Sequence, residues 1–209
     1  ERSPYDFRQE KNFSYKDLNI HDAIIHIANF ISGIWQIHAF GEGNTRTTAV
    51  FAIKYLRTFG FTINNDAFAA DSWYFRNALV RANYNDLQHG VVATTEYLEM
   101  FFRNLLMGEN NELRNRDMLV SKQQTSTIQS AKNMEDKTSK CNICTLNCTL
   151  EELAVWKYLK DNPRATQKEV AASIGKSERT IKTITVNLTN KGLLARKNGR
   201  RNGYWEVNE

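Results

Sequence analysis

Between Ile37 and Thr48 the chain compresses His38, Gly41, Glu42, Gly43, Asn44 and Arg46 into nine positions. Each residue type has a distinct use there. Asn44 to Arg46 opens a helix, where unpaired backbone N–H groups and the positive end of the dipole favour an anion. Gly41 and Gly43 allow a tight turn that points N–H groups inward, a nest suited to phosphate. Arg46 adds a fixed charge and a bidentate donor for phosphate oxygens. Glu42 can hold a Mg²⁺ bridging those oxygens. His38, at the end of the preceding helix, can take a proton from an attacking hydroxyl. Phe40 is expected to anchor the loop in the core. The set describes phosphate transfer without a covalent enzyme intermediate.

Each piece alone has a plainer explanation. A histidine at a helix end is more often structural than catalytic, a Gly-x-Gly turn is weak by itself, and Glu42 and Arg46 could simply pair on a surface. The combination carries the signal, together with the elements that must hold it. Before the loop, Ile20, Ile24, Ile27, Ala28, Ile31, Ile34 and Trp35 recur at helical spacing, with Asn19 as N-cap, and predict a helix to about Ile37. After it a helix is expected from about Asn44 to Phe59, with Val50, Phe51, Ile53, Lys54 and Leu56 forming its buried stripe and flanks and Gly60 ending it. Further helices are expected from an Asp66 cap, through Trp73, Phe75, Leu79 and Val80 to about Ala82, and over about Val91–Met107 with Leu98, Phe101, Phe102 and Leu105 facing in. Residues 1–17 show no clear period, and Asn83-Tyr84-Asn85-Asp86 marks a break.

The loop resembles the Fic domain signature, His-x-Phe-x-(Asp/Glu)-Gly-Asn-x-Arg, met by His38, Phe40, Glu42, Gly43, Asn44 and Arg46. The resemblance covers about residues 5–120. It implies a Fic-type helical bundle that transfers a nucleoside monophosphate, usually AMP from ATP, to a protein Ser, Thr or Tyr hydroxyl. It also implies that His38 is the general base, that Glu42 is the Mg²⁺ ligand, and that Gly43, Asn44 and Arg46 cradle phosphate; Gly41 and Thr45, by their place in the loop, are further candidates for nucleotide contact. Asn83 and Tyr84 are candidates for the nucleoside pocket, with a structural turn as the alternative. Three departures stand out: Ala39 replaces the usual Pro, Thr45 replaces a common Gly, and Ala49 sits where many members carry a second Arg. The family's inhibitory Ser/Thr-x-x-x-Glu-Gly/Asn motif has only a near miss, Thr95…Glu99 followed by Met100. The β-hairpin flap that precedes the motif helix in the family has no clear place in residues 1–17.

The charge is uneven. Residues 149–209 hold 12 Lys+Arg and 7 Asp+Glu, a net of +5, whereas residues 1–148 hold 16 of each. An acidic partner is therefore expected for the C-terminal part alone. There Thr149, Thr166 and Ser177 read as caps of three helices, ending near Lys160, Ile174 and Asn190, with Val186 among the apolar residues of the third. Gly199 and Gly203 flank the tip of a hairpin over Ala195–Val207. The segment resembles a winged helix-turn-helix, which implies a helix entering a major groove with Arg179, Thr180, Lys182 and Thr183 leading, and Lys197, Arg200 and Arg201 at the wing. Such modules also dock proteins or pair two copies, and both roles stay open.

Residues 121–148 are polar and read as a linker between a Fic domain (1–120) and the winged module (149–209). Cys141, Cys144 and Cys148 form no disulfide framework. Three zinc thiolates would lack a fourth ligand, so loose linker cysteines in a reducing cytosol are expected. No apolar run approaches the roughly 20 residues of a membrane span. The first residues lack the charged-then-apolar pattern of a signal peptide, and residue 1 is Glu, not Met, so the chain is expected to be trimmed at its front. The expectation is a mainly helical, cytosolic, bacterial-type enzyme using ATP and Mg²⁺ on a protein target. The alternative is a DNA-binding regulator whose first half only senses nucleotide.

Overall fold

A computed structural model of the chain describes residues 7–120, 147–199 and 203–208. The segment expected to be a linker lies outside these residues from 121 to 146, as do Cys141, Cys144, Arg200 and Arg201. The described chain folds as α1 (Phe7–Asn12), α2 (Ile20–Gln36), α3 (Asn44–Thr58), α4 (Asp66–Ala70), α5 (Ser72–Asn83) and α6 (Glu96–Met107), then α7 (Leu150–Asp161), α8 (Gln167–Ile174), α9 (Glu178–Asn190) and a hairpin of β1 (Leu194–Lys197) and β2 (Tyr204–Val207). Short 3₁₀ turns occupy Leu87–His89 and Asn115–Met118. Among the described residues no helix is long and apolar enough to cross a membrane.

The described residues divide into two compact units that are discontinuous in sequence: 7–10, 24–49 and 65–120 belong to one, and 11–23, 50–64, 147–199 and 203–208 to the other. In the first, the isoleucine spacing of α2 works as its period requires, burying Ile24, Ile27, Ala28 and Ile31 on one stripe. Residues 7–12 are helical where no period was legible, and the buried Glu10 carboxylate meets His26 Nε2 at 2.7 Å. The α4–α6 part closes on aromatic rings. Phe68 lies edge-on to Phe75 and to Phe101, each with centroids 5.0 Å apart, a geometry that adds about 0.5–1.5 kcal/mol per pair beyond burial.

Some sequence expectations shift here. Asp66 is the first residue of α4 rather than its cap. The last helix of this unit begins at Glu96, not near Val91, because Val91 pairs with Asp86 in an isolated antiparallel bridge across the Gly90 turn. Leu106 and Met107 are buried while Leu105 is half-buried, a one-residue rotation of the expected stripe. Val50 is 49% exposed; α3 buries Thr48, Ala49, Ala52, Ile53 and Leu56 instead.

In the second unit the three predicted caps form. Thr149 and Thr166 each make a reciprocal capping box, with Glu152 and Glu169, and Ser177 Oγ accepts from the Thr180 N–H. Each cap is worth about 1 kcal/mol. Gly175 (φ +73°) turns α8 into α9. β1 and β2 pair antiparallel with Leu194 opposite Val207, and the Trp205 indole donates to the Ala165 carbonyl at 3.1 Å, tying the hairpin to the α7–α8 turn. Residues 11–23 and 50–64 add a ring ladder to this unit: Tyr15 stands edge-on to Phe13 and to Phe59 (4.9 Å each), and its hydroxyl lies 3.0 Å from that of Tyr55.

Two expectations in this unit change. Cys148 is buried rather than loose, and its thiol is pushed up to about 12 by burial, then by the Glu152 charge. Val186 faces solvent.

Candidate active site

The loop between α2 and α3 is shaped by Asn44, whose amide grips Phe40 from both sides. Its Oδ1 accepts from the Phe40 N–H at 3.0 Å, and its Nδ2 donates to the Phe40 carbonyl at 2.6 Å. This clamp closes residues 40–44 into a ring. Gly43, at φ +78°, makes the turn into α3, a conformation that favours glycine. Gly41 has no positive φ, so the expected pair of permissive glycines reduces to one. The Gly43 carbonyl accepts from the Thr47 N–H at 2.9 Å, and the Thr48 hydroxyl donates to the Asn44 carbonyl at 2.8 Å, fixing the first turn of α3.

The charged groups stand free of one another. Glu42 and Arg46 are both exposed, and no ion pair or hydrogen bond joins them to each other or to another described residue. The surface pair that their spacing allows does not form. The guanidinium of Arg46 instead lies back towards Gly43, where an added Cβ would stand 3.8 Å from a terminal nitrogen. A carboxylate without a partner beside a helix N-terminus and a guanidinium suits one Mg²⁺ ligand in a site whose other oxygens come from phosphate. Among the described residues no cluster of three or more His, Cys, Asp or Glu could hold a metal by itself.

His38 is one of two described non-glycine residues at positive φ (+47°). Such strain costs on the order of 1–3 kcal/mol and persists only where the surroundings impose it. Its ring stands edge-on to Trp35, centroids 4.6 Å apart, and Nδ1 lies 3.4 Å from the Gln36 carbonyl. A proton on Nδ1 directed at that carbonyl leaves Nε2 as the free base. The Trp35 indole in turn donates to Thr45 Oγ1 at 3.2 Å. Trp35 thus braces His38 and the start of α3 together. Sequence reasoning counted it only as part of an apolar stripe, although its place one turn before His38 was the available signal.

The remaining expected site residues fare differently. Phe40 is 54% exposed and does not anchor the loop; the Asn44 clamp holds its backbone while the ring points away from the core. Ala49 is 8% exposed on the inner face of α3, so the place of the second Arg is filled by a packed methyl. Arg57, two turns further along α3, donates through Nε to the Ile63 carbonyl at 2.9 Å. Asn83 donates to Ser32 Oγ (2.8 Å) and to the Leu79 carbonyl (2.9 Å), a tie between α5 and α2. Tyr84 lines a cavity of about 260 Å³ with Val80, Arg81 and Leu119, its hydroxyl 3.4 Å from Asp86 Oδ2. Neither residue is brought to the His38 loop by any hydrogen bond. Thr95 and Glu99, the near miss to an inhibitory motif, bond to each other at 2.7 Å.

On the winged module, Arg179, Lys182 and Thr183 are exposed on α9, whereas Thr180 serves the cap through Ser177. Lys197 pairs with Glu206 at 3.0 Å, and that carboxylate holds its ammonium above the ordinary range.

With this geometry in view, residues 3–56 match the model of the Fic/DOC family, a stretch that ends within α3 and contains the whole loop. Residues 153–195 match the model of winged helix-turn-helix DNA-binding domains. The chain carries a Fic/DOC domain at its N-terminal end and a winged helix-turn-helix domain at its C-terminal end. Comparison with curated proteins and with solved structures finds no match.

Proposed function

We propose that the chain is a Fic-type nucleotidyltransferase that moves AMP from ATP to a Ser, Thr or Tyr hydroxyl of a target protein or of itself. The observation that carries this reading is the Asn44-clamped loop at the start of α3, with Glu42 and Arg46 exposed and without partners and His38 strained beside them. In the proposed step the hydroxyl oxygen forms a bond to the α-phosphorus. The bond from that phosphorus to the bridging oxygen of the β-phosphate breaks, and pyrophosphate leaves. His38 Nε2 takes the hydroxyl proton. Arg46 and the N–H groups of Gly43, Asn44 and Thr45 face the charge that builds on phosphate oxygens, the main source of rate in such transfers. Glu42 would hold the Mg²⁺, which supplies charge neutralisation to the phosphates. With a methyl at Ala49, the terminal phosphate relies on fewer protein donors, so slow turnover is expected.

A second reading makes the chain a DNA-binding regulator that senses nucleotide, favoured by the exposed Arg179 and Lys182 on α9. Incubation with labelled ATP, Mg²⁺ and cell lysate separates the two. The enzyme reading requires a labelled protein band that His38→Ala abolishes. Equal labelling by both forms, or none by either, leaves the regulator.

A further inference from the structure

One side of the winged module faces residues 13–16 and the turn after α3 across a cleft, and that side includes a flank of the helix that would read DNA. Gly60, in the turn after α3, has φ +96°, and a Cβ added there would stand 2.2 Å from Ile174 Cγ2 and 3.2 Å from Ile174 Cβ. The backbone of this turn therefore lies directly against the last residue of α8, at a distance only glycine permits. Next to that contact a cleft of about 460 Å³ opens, with Phe13, Lys16 and Phe59 on one wall and Thr180, Thr183 and Asn187 of α9 on the other. These three α9 residues, spaced three and four apart, form one stripe. Thr183 and Asn187 line the cleft while still exposed to solvent, and Arg179, Lys182 and Val186 lie on the neighbouring exposed stripe.

The geometry decides what α9 can do in this arrangement. A helix with its side chains is about 10–12 Å across, and the major groove of B-DNA is about 12 Å wide. A recognition helix therefore fills the groove, with both flanks between phosphate backbones. No room remains for a wall of the protein's own residues along one flank. The charge on that side is also wrong for DNA. Glu151 and Glu152 border the same cleft and pair with Lys176 (2.8 Å) and Lys191 (2.6 Å).

We propose that the winged helix-turn-helix is held off duplex DNA by its own chain. The Gly60 turn abuts α8, residues 13–16 and Phe59 stand across the cleft from one flank of α9, and full insertion of α9 into a groove requires this arrangement to open. The docked arrangement and the DNA complex are then competing states, and the measured DNA affinity is lowered by the small fraction of open molecules. The proposal rests on the reading of this module as duplex-binding.

The test uses the full chain and a mixed-sequence fluorescent duplex at low salt, followed by anisotropy. Gly60→Ala places a methyl against the stiff, branched Ile174 and should bind at least about ten-fold more tightly than wild type. Phe13→Ala, at a ring already 37% exposed, removes the lip of the cleft without emptying a core and should give a smaller gain in the same direction. Adding Arg179→Ala and Lys182→Ala to Gly60→Ala should reverse the gain. Should Gly60→Ala lose its helical circular dichroism, Phe13→Ala decides alone. Equal, measurable affinity for wild type and the folded variants overturns the proposal while leaving DNA binding in place. No binding by any form overturns both.

Discussion

Asn44→Ala isolates what the loop clamp contributes. The substitution removes both hydrogen bonds to Phe40, at 3.0 and 2.6 Å, and nothing else the structure assigns to that side chain. Each bond contributes about 0.5–1.5 kcal/mol net, and the loop is exposed, so a total of about 1–2 kcal/mol is expected. The Asn44 carbonyl still accepts from Thr48, and the Gly43 carbonyl still accepts from Thr47, so the first turn of α3 survives. Alanine is also the better helix former. The cost should therefore fall on loop order and not on global stability. Titration calorimetry with ATP and Mg²⁺ should show affinity reduced by about 5- to 30-fold. The thermal midpoint should move by less than about 3 °C. Asn44→Asp sharpens the contrast: its carboxylate still accepts from the Phe40 N–H and suits a helix N-terminus, yet it sets a negative charge inside the phosphate cradle. It loses the donor to the Phe40 carbonyl, so it should be no more stable than wild type, and it should bind ATP more weakly than Asn44→Ala. Unchanged ATP affinity in both variants would refute the idea that this clamp shapes a phosphate site.

Other expectations concern single groups. Trp35→Phe keeps a ring edge near His38 but loses the bond to Thr45 (3.2 Å), and should slow turnover several-fold with little change in ATP affinity, read by steady-state kinetics. Glu152→Gln leaves Lys191 without its carboxylate and weakens the Thr149 capping box. The lysine is partly solvated, so a loss of about 1–2 kcal/mol is expected, measured by urea unfolding of the winged module. Cys148 should resist maleimide at neutral pH in the native chain and react once it unfolds, followed site by site by mass spectrometry. The same thiol gives a pH signature. Its pKa is raised on folding from 9.0 to about 12, so its contribution to stability is whole below pH 9 and declines as pH rises through that window. Alkaline unfolding curves that are flat across it would contradict the burial of the thiol.

Most helices were legible because their signals are local. The isoleucine spacing of α2, the Thr-x-x-Glu boxes of α7 and α8 and the glycine that ends α6 depend on neighbours within one turn. Val91 was misread as helical because its partner, Asp86, lies across a turn that no period reveals. Around the site, residue types announced the chemistry but not the mechanics. The sequence pattern put Phe40 in the core by its ring alone, whereas the Asn44 amide holds its backbone and leaves the ring outside. Trp35 and Ser32 were missed as supports because indole and hydroxyl donors inside an apolar stripe look like filler until their acceptors are seen. The pairing of Lys197 with Glu206 was not legible because a cross-strand partner depends on hairpin register.

The position of the transferred phosphorus is the most direct test of the central claim. The purified chain is incubated with Mg²⁺, lysate and ATP labelled either at the α- or at the γ-phosphate, alongside His38→Ala. Nucleotidyl transfer predicts protein-bound label from the α-labelled ATP only, lost in His38→Ala. Label delivered from the γ-position, or α-label that survives in His38→Ala, would contradict it.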